Sequence, residues 1–356
     1  MVELYKDNKY LEFTVSLFTR CNRRCGYCWQ DHTKDLNPLQ LASIPQKIVD
    51  TYVKESLERE IDTVGIRLWG GELFSDDIPD KYFDIYRKLR TDIREKLSLF
   101  KGIKKIQFLY TTNGDFTKCI RVLDFLEPGD PIAISYNPIW SSSHYKMTFW
   151  RVLNWFGRAG HPVTVGIVLT KDIMKYFNVL EYLPLMNIAS SPYVSSIVLN
   201  NYIPSIGWEN LMPTDEETGD FLVDCMKHNI SKISNLEMIK ESFETKQCAG
   251  RECECKFLPN IMDGKVSKDC VRCFSNLPPE MFYEDFSGDV QDISGCKQEN
   301  VSEIKALKGI AKRGCDTCEH VEYCPMLCWT SVIFNKHEMG ECPLKKCYKY
   351  LEATKL

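Results

Sequence analysis

From residue 10 to about residue 235, short apolar runs alternate with longer amphipathic ones. The short runs are Glu12–Phe18, Thr63–Trp69, Ile106–Tyr110, Ile132–Tyr136, Val163–Leu169 and Ser196–Leu199. They are rich in Val, Ile, Leu and aromatics, and most lack strict polar alternation, the pattern of parallel strands covered by helices. Between them, Tyr82, Tyr86, Leu89, Ile93 and Leu97 recur every three or four residues, as do Ile48, Tyr52, Val53 and Leu57. That spacing predicts helices with one apolar face. Six βα units in series predict a parallel sheet or a partial barrel, with its chemistry on the loops at the carboxyl ends of the strands.

After about residue 240 the periodic segments disappear, and Cys, Gly, Pro, Asp and Glu dominate. RECECKFLPN and GCDTCEHVEYCPMLC hold too little apolar material for a conventional core, and small domains of that kind need staples. The expected division is an α/β part over 1–240 and a small cysteine-rich part over 241–356, with the boundary at 236–247. No internal repeat is visible.

Composition narrows the function classes. The 356 residues are 44% hydrophobic and 26% charged, with a net charge of −4. That balance predicts a soluble globular protein and argues against general nucleic-acid binding. The basic stretch Lys101–Lys105 is expected to be a solvated helix end. No run has the length of a membrane span, and MVELYKDNKYLE lacks a signal-peptide pattern, so a cytoplasmic location is expected. The cysteines stand out: 17 in all, 12 of them between Cys248 and Cys347. In a reducing compartment, such bunching points to metal or cluster ligation rather than disulfides.

Three more cysteines follow the first strand in TRCNRRCGYCWQ, where Cys21, Cys25 and Cys28 have C-x₃-C-x₂-C spacing. Three thiolates would leave one iron of a four-iron cluster without a protein ligand, an open position where a substrate or cofactor can bind. A zinc loop completed by a distant residue, or three unconnected thiols, also satisfies the spacing. The second strand ends in RLWGGELF, placing Gly70, Gly71 and Glu72 in the next active-end loop. Two glycines allow close backbone approach to a ligand, and a carboxylate there can hold an ammonium group. The third strand ends in TTNG (Thr111–Gly114) and the fourth in SYNP (Ser135–Pro138), adding small polar groups to the same rim.

With these motifs the chain resembles the radical S-adenosylmethionine (SAM) enzymes over roughly residues 10–235. The resemblance rests on Cys21, Cys25 and Cys28, on aromatic Tyr27 before the last cysteine, and on Gly70-Gly71-Glu72. It implies a partial (β/α)6 TIM-like barrel and a [4Fe–4S] cluster on the three cysteines, with SAM chelating the fourth iron. It further implies that Gly70–Glu72 bind the SAM amino group and that Tyr27 meets the adenine. Asn113, Ser135 and Asn137 are the implied further cofactor contacts on the polar rim, the last two to ribose or carboxylate. Leu73 departs from the pattern, since many members have Pro after GGE.

The tail resembles the SPASM extension of that family, which holds two auxiliary [4Fe–4S] clusters. Its most specific run is Cys315-x₂-Cys318-x₅-Cys324-x₃-Cys328, followed by Cys342. By resemblance the first auxiliary cluster takes Cys248, Cys255, Cys270 and Cys328, and the second takes Cys315, Cys318, Cys324 and Cys342. Cys253, Cys273 and Cys347 compete for these places, and Asp263-Gly264 precedes Cys270. Structural zinc is the alternative for a paired-cysteine tail. Cys119 and Cys225, on apolar helix faces, are expected to be buried core thiols. Surface or supporting roles are expected for His32 and His144.

The resemblance implies oxidative modification of a peptide or protein by cross-linking, thioether formation, epimerisation or dehydrogenation. A small molecule such as a sugar, cyclitol or nucleotide is the alternative substrate, and a non-enzymatic cluster or zinc protein is a third reading. The first strand begins by about residue 10, so no N-terminal peptide-recognition domain is expected, and a separate protein would present a peptide unless it is recognised directly. A ferredoxin or flavodoxin is the implied electron donor. Sulfatase-maturing relatives carry Asp after the cysteine matching Cys270; Val271 stands here. No general base is assigned, because Asp269, Glu252 and Glu254 lie in cysteine-rich loops where carboxylates are usually solvated. The aromatics of His144–Trp155 suit either a substrate-facing segment or the core.

Overall fold

The computed structural model describes residues 9–26, 28, 32, 35–57, 60–139, 144–202, 209–246, 260–262, 265–267, 318–320, 323–324 and 342–354. Strands and helices alternate as β1 (Tyr10–Ser16), α1 (Pro38–Ser56), β2 (Thr63–Trp69), α2 (Asp80–Leu97), β3 (Lys105–Thr112) and α3 (Cys119–Leu123). They continue as β4 (Ile132–Ser135), α4 (Tyr145–Arg158), β5 (Val163–Leu169), α5 (Lys171–Val179), α6 (Leu183–Ser190) and β6 (Val194–Asn201). Helices α7 (Asp215–Lys227) and α8 (Ser234–Thr245) follow, then the short strands β7 (Asn260–Met262) and β8 (Lys265–Ser267), and helix α9 (Pro343–Thr354).

One eight-stranded sheet has the order β6-β5-β4-β3-β2-β1-β7-β8. Strands β1 to β6 pair parallel in sequence, β7 joins β1 in parallel, and β8 turns back antiparallel. The linear order leaves the sheet open, as in a partial barrel. Its helix-covered face carries Phe13, Val15, Val64, Ile66, Leu68, Phe108, Ile134, Val165 and Ile167, all buried in one continuous core. The opposite face is more polar at β1 and β2, because successive side chains alternate across a strand. There the Arg67 Nε lies 2.6 Å from a carboxylate oxygen of Glu12, and the Tyr10 hydroxyl donates to the other at 2.7 Å.

The helix stripe of α2 is buried as its spacing predicts, with Tyr82, Tyr86, Leu89, Ile93 and Leu97 all in the core. That of α1 is rotated: Ile44, Ile48 and Tyr52 are buried, whereas Val53 and Leu57 are exposed. The first strand begins earlier than its apolar run and ends at Ser16, and Lys101–Lys105 forms the turn into β3 rather than a helix end. Helix α8 runs unbroken to Thr245, through most of the stretch expected to be a boundary. Beyond it, β7 extends the sheet and α9 packs on α7 and α8. Among the described residues, no helix is long and apolar enough to cross a membrane.

Candidate active site

Four consecutive strands, β1 to β4, deliver their C-terminal loops to one edge. The loop after β1 carries the three cysteines, all partly buried. The loop after β2 is pressed against it. Gly70 (φ +108°) and Gly71 (φ +51°) are both left-handed, and a Cβ on Gly71 would stand 1.8 Å from the Arg20 carbonyl oxygen. One on Gly70 would stand 2.4 Å from the Phe18 carbonyl oxygen. The room that two glycines provide is therefore used by the chain's own backbone. It brings the Glu72 amide within 2.9 Å of the Arg20 carbonyl.

This contact sets Glu72 under the cysteine loop, fully buried. Its carboxylate accepts from the Thr112 hydroxyl at 2.6 Å, from the Phe74 amide at 3.1 Å and from the Asn113 amide. Burial raises its pKa above the ordinary carboxylate range, against these hydrogen bonds and the nearby Arg23 charge. A buried carboxylate held in this way is one that an incoming cation would stabilise.

Asn113 reaches both motifs. Its backbone binds Glu72, and its side-chain amide donates to Asn22 at 2.8 Å and lies 3.7 Å from the Cys21 sulfur. The Arg23 amide is a second donor to that sulfur, at 3.4 Å. Burial, followed by the Glu72 charge, pushes the Cys21 thiol up to about 12, with Cys25 and Cys28 near enough to add to the shift. Among the described residues, no group of three or more His, Cys, Asp or Glu side chains is placed to hold a metal ion by itself. The donor set still fits a sulfur-ligated cationic centre. Two N–H groups face a sulfur whose thiolate is disfavoured until a positive charge arrives.

The sequence pattern does not mark Arg23, Asp115 or Tyr145, which the fold brings into the site. The Arg23 side chain is only 5% exposed; its Nε lies 3.1 Å from an Asp115 carboxylate oxygen, and its guanidinium stacks 4.0 Å from the centre of the Tyr145 ring. The Tyr145 hydroxyl donates to the Ser135 carbonyl at 2.6 Å and accepts from the Asn137 amide at 3.1 Å. The structure thus brings Ser135 and Asn137 to the site through their backbones, and Asn137 is buried. The only sequence signal for this set was an Arg placed between two cysteines, with TTNG running on into Asp115. Tyr145 sat in an aromatic segment that the core explained equally well. His144 is exposed at the start of α4.

Arg20 clamps the other side of the loop, 3.1 Å from Asp77 and 4.0 Å from Asp35, which accepts from the Tyr82 hydroxyl at 2.6 Å. The Ser75 hydroxyl and Arg20 hold the Asp77 carboxyl below its usual range, and Tyr82 does the same for Asp35. A depressed carboxylate stabilises the fold above its unfolded value of about 3.9, and that contribution is lost as pH falls through the lower folded value. Melting of the metal-free protein below about pH 4 should therefore be steeper in pH for the parent than for Asp77→Asn. Equal slopes would remove the clamp from the account.

In the tail, Cys318, Cys324 and Cys342 are half-buried. The short piece carrying Cys318 and Cys324 is anchored by a buried ring cluster. His320 shares a 2.7 Å hydrogen bond with the Tyr323 hydroxyl, Lys246 donates to the same hydroxyl at 3.2 Å, and both rings pack on Tyr348 of α9. Cys347 is fully buried on α9, close enough to Cys225 of α7 to raise its thiol pKa further. Cys119 is buried as well. Tyr27, Cys248, Cys253, Cys255, Cys270, Cys273, Cys315 and Cys328 lie outside the described residues, as do Glu252, Glu254, Asp263, Gly264, Asp269 and Val271.

No protein-family model and no curated protein matches the chain. Solved structures do. The sulfatase-maturating enzyme anSMEcpe with bound AdoMet and the Kp18Cys peptide superposes at a TM-score of 0.65 and 15% identity, covering 97% of this chain and 98% of that one. The chain shares the fold of anSMEcpe. A histidine-tagged form of anSMEcpe with bound AdoMet gives the same TM-score and identity, covering 97% of each chain. Streptococcus suis SuiB bound to precursor peptide SuiA matches more loosely, at TM-score 0.47 and 15% identity over 96% of this chain and 77% of that one. This shared fold accounts for the open parallel sheet and for the gathering of four strand-end loops at one edge.

Proposed function

We propose that the chain is a radical SAM enzyme that modifies a peptide oxidatively. The observation that carries this reading is Asn113, whose backbone holds the buried Glu72 carboxylate while its side chain faces the Cys21 sulfur. A carboxylate suited to an ammonium group and a thiol in a three-cysteine loop thus share one support. Cys21, Cys25 and Cys28 would hold a [4Fe–4S] cluster, and Glu72 with the Gly70–Gly71 loop would receive the amino group of AdoMet. Together, cluster and AdoMet would supply a 5′-deoxyadenosyl radical able to take hydrogen from an unactivated C–H bond.

The chain's own residues position and shield. Thr112, Phe74 and Asn113 fix the Glu72 carboxylate, and the loop-to-loop contact at Gly71 fixes its distance from the cysteines. Tyr145 ties the end of β4 to Arg23 in the cysteine loop. Cys318, Cys324 and Cys342, with Cys248, Cys255, Cys270, Cys315 and Cys328, would hold auxiliary clusters. A low-potential ferredoxin or flavodoxin would deliver the electron.

A peptide substrate is supported by the match to anSMEcpe, which was solved with a peptide bound. Reconstituted protein with AdoMet, dithionite and a pool of short peptides should release more 5′-deoxyadenosine than without peptide. One peptide should lose about two hydrogens in mass. Turnover stimulated only by sugars or nucleotides would replace the peptide with a small molecule.

A further inference from the structure

Between Cys21 and Cys25, where the proposed cluster would sit, the chain buries a full positive charge. Buried guanidinium groups are uncommon unless paired, and Arg23 is paired only in part. Its Nε meets Asp115, its plane stacks on Tyr145, and its Nη2 is buried without a hydrogen-bond partner among the described residues. A guanidinium keeps its proton throughout the working pH range, and Asp115 is its charged partner. Asp115 is one-quarter exposed, so water screens the carboxylate more than the guanidinium. The guanidinium is therefore the less screened charge of the pair, and it lies near enough to Cys25 to interact with a charge there.

Resting on the proposed cluster assignment, we propose that Arg23 is an electrostatic positioning residue that sets the reduction potential of the centre held by Cys21, Cys25 and Cys28. One-electron reduction takes a [4Fe–4S] cluster from its 2+ to its 1+ core, with the electron supplied by a low-potential donor such as dithionite or flavodoxin. The reduced centre carries one more negative charge, and a fixed guanidinium favours it. Asp115 opposes this, so the two residues pull the potential in opposite directions. Tyr145 serves as the platform that keeps the guanidinium in place, anchored by Ser135 and Asn137.

The test is a redox titration of the reconstituted full chain, following the EPR signal of the cluster whose spectrum changes when AdoMet is added. Arg23→Gln should lower the ratio of reduced to oxidised cluster at a given potential about tenfold, a shift of about 59 mV for one electron. Arg23→Lys should stay near the parent, and Asp115→Asn should shift the ratio upward. Unchanged potentials, or shifts of the same sign in Arg23→Gln and Asp115→Asn, would overturn the proposal while leaving the cluster assignment intact, because a merely structural brace has no such sign. If Arg23→Gln fails to take up iron, the direction of Asp115→Asn decides alone. A parent chain that binds no AdoMet-responsive cluster removes the assignment itself, and this proposal with it.

Discussion

Cys25→Ala is expected to reduce reductive AdoMet cleavage to the protein-free rate without unfolding the protein. Cys25 lies half-buried in a loop, so its loss should change the stability of the metal-free chain by no more than about 0.5 kcal/mol. The thiol count matters more. Three cysteines leave one iron open for AdoMet, whereas two leave the cluster under-ligated. Release of 5′-deoxyadenosine, measured by chromatography, and a circular dichroism melt of the same sample check both halves. Cleavage that survives the substitution would move the cluster elsewhere in the chain.

Gly71→Ala is expected to be the most damaging single change outside the cysteines. Its φ of +51° costs an L-residue about 1–2 kcal/mol. The new methyl would also stand 1.8 Å from the Arg20 carbonyl oxygen, a backbone atom that cannot swing away. Arg20 and Glu72 would have to part, breaking the 2.9 Å hydrogen bond between the two loops. A total loss of about 2–4 kcal/mol follows, and AdoMet affinity should fall with it because Glu72 is displaced. Gly129→Ala is the control. It has a similar left-handed φ of +83° but open space around the new methyl, so it should cost only about 1 kcal/mol. Denaturant midpoints of the metal-free variants compare the two, and equal losses would show that the loop contact contributes nothing.

Much of the barrel was legible because burial writes itself into periodicity. β2 and β5 span the same residues as their apolar runs, and the α2 stripe is buried at all five of its positions. Errors came where spacing alone could not fix direction. Val53 and Leu57 continue the α1 stripe by number, yet the helix turns them to solvent. The strand-end motifs were legible as a set but not in their division of labour. GGE reads as a ligand loop, and only the packing reveals that its glycines make room for the cysteine loop. Arg23 stayed hidden because an Arg in a polar loop resembles a solvated one until Asp115 and Tyr145, far apart in sequence, enclose it. Cys347 competes with Cys342 by sequence, and only the fold reveals that it is buried on α9 near Cys225.

The most direct test of the central claim is anaerobic reconstitution of the full chain, with iron and zinc counted on the sample that is then given AdoMet and dithionite. Iron is expected without stoichiometric zinc, about four irons per chain for the Cys21–Cys28 centre and about twelve if two auxiliary clusters are present. 5′-Deoxyadenosine and methionine should form in equal amounts. Zinc in place of iron, or a full iron load that leaves AdoMet intact, would contradict the central claim.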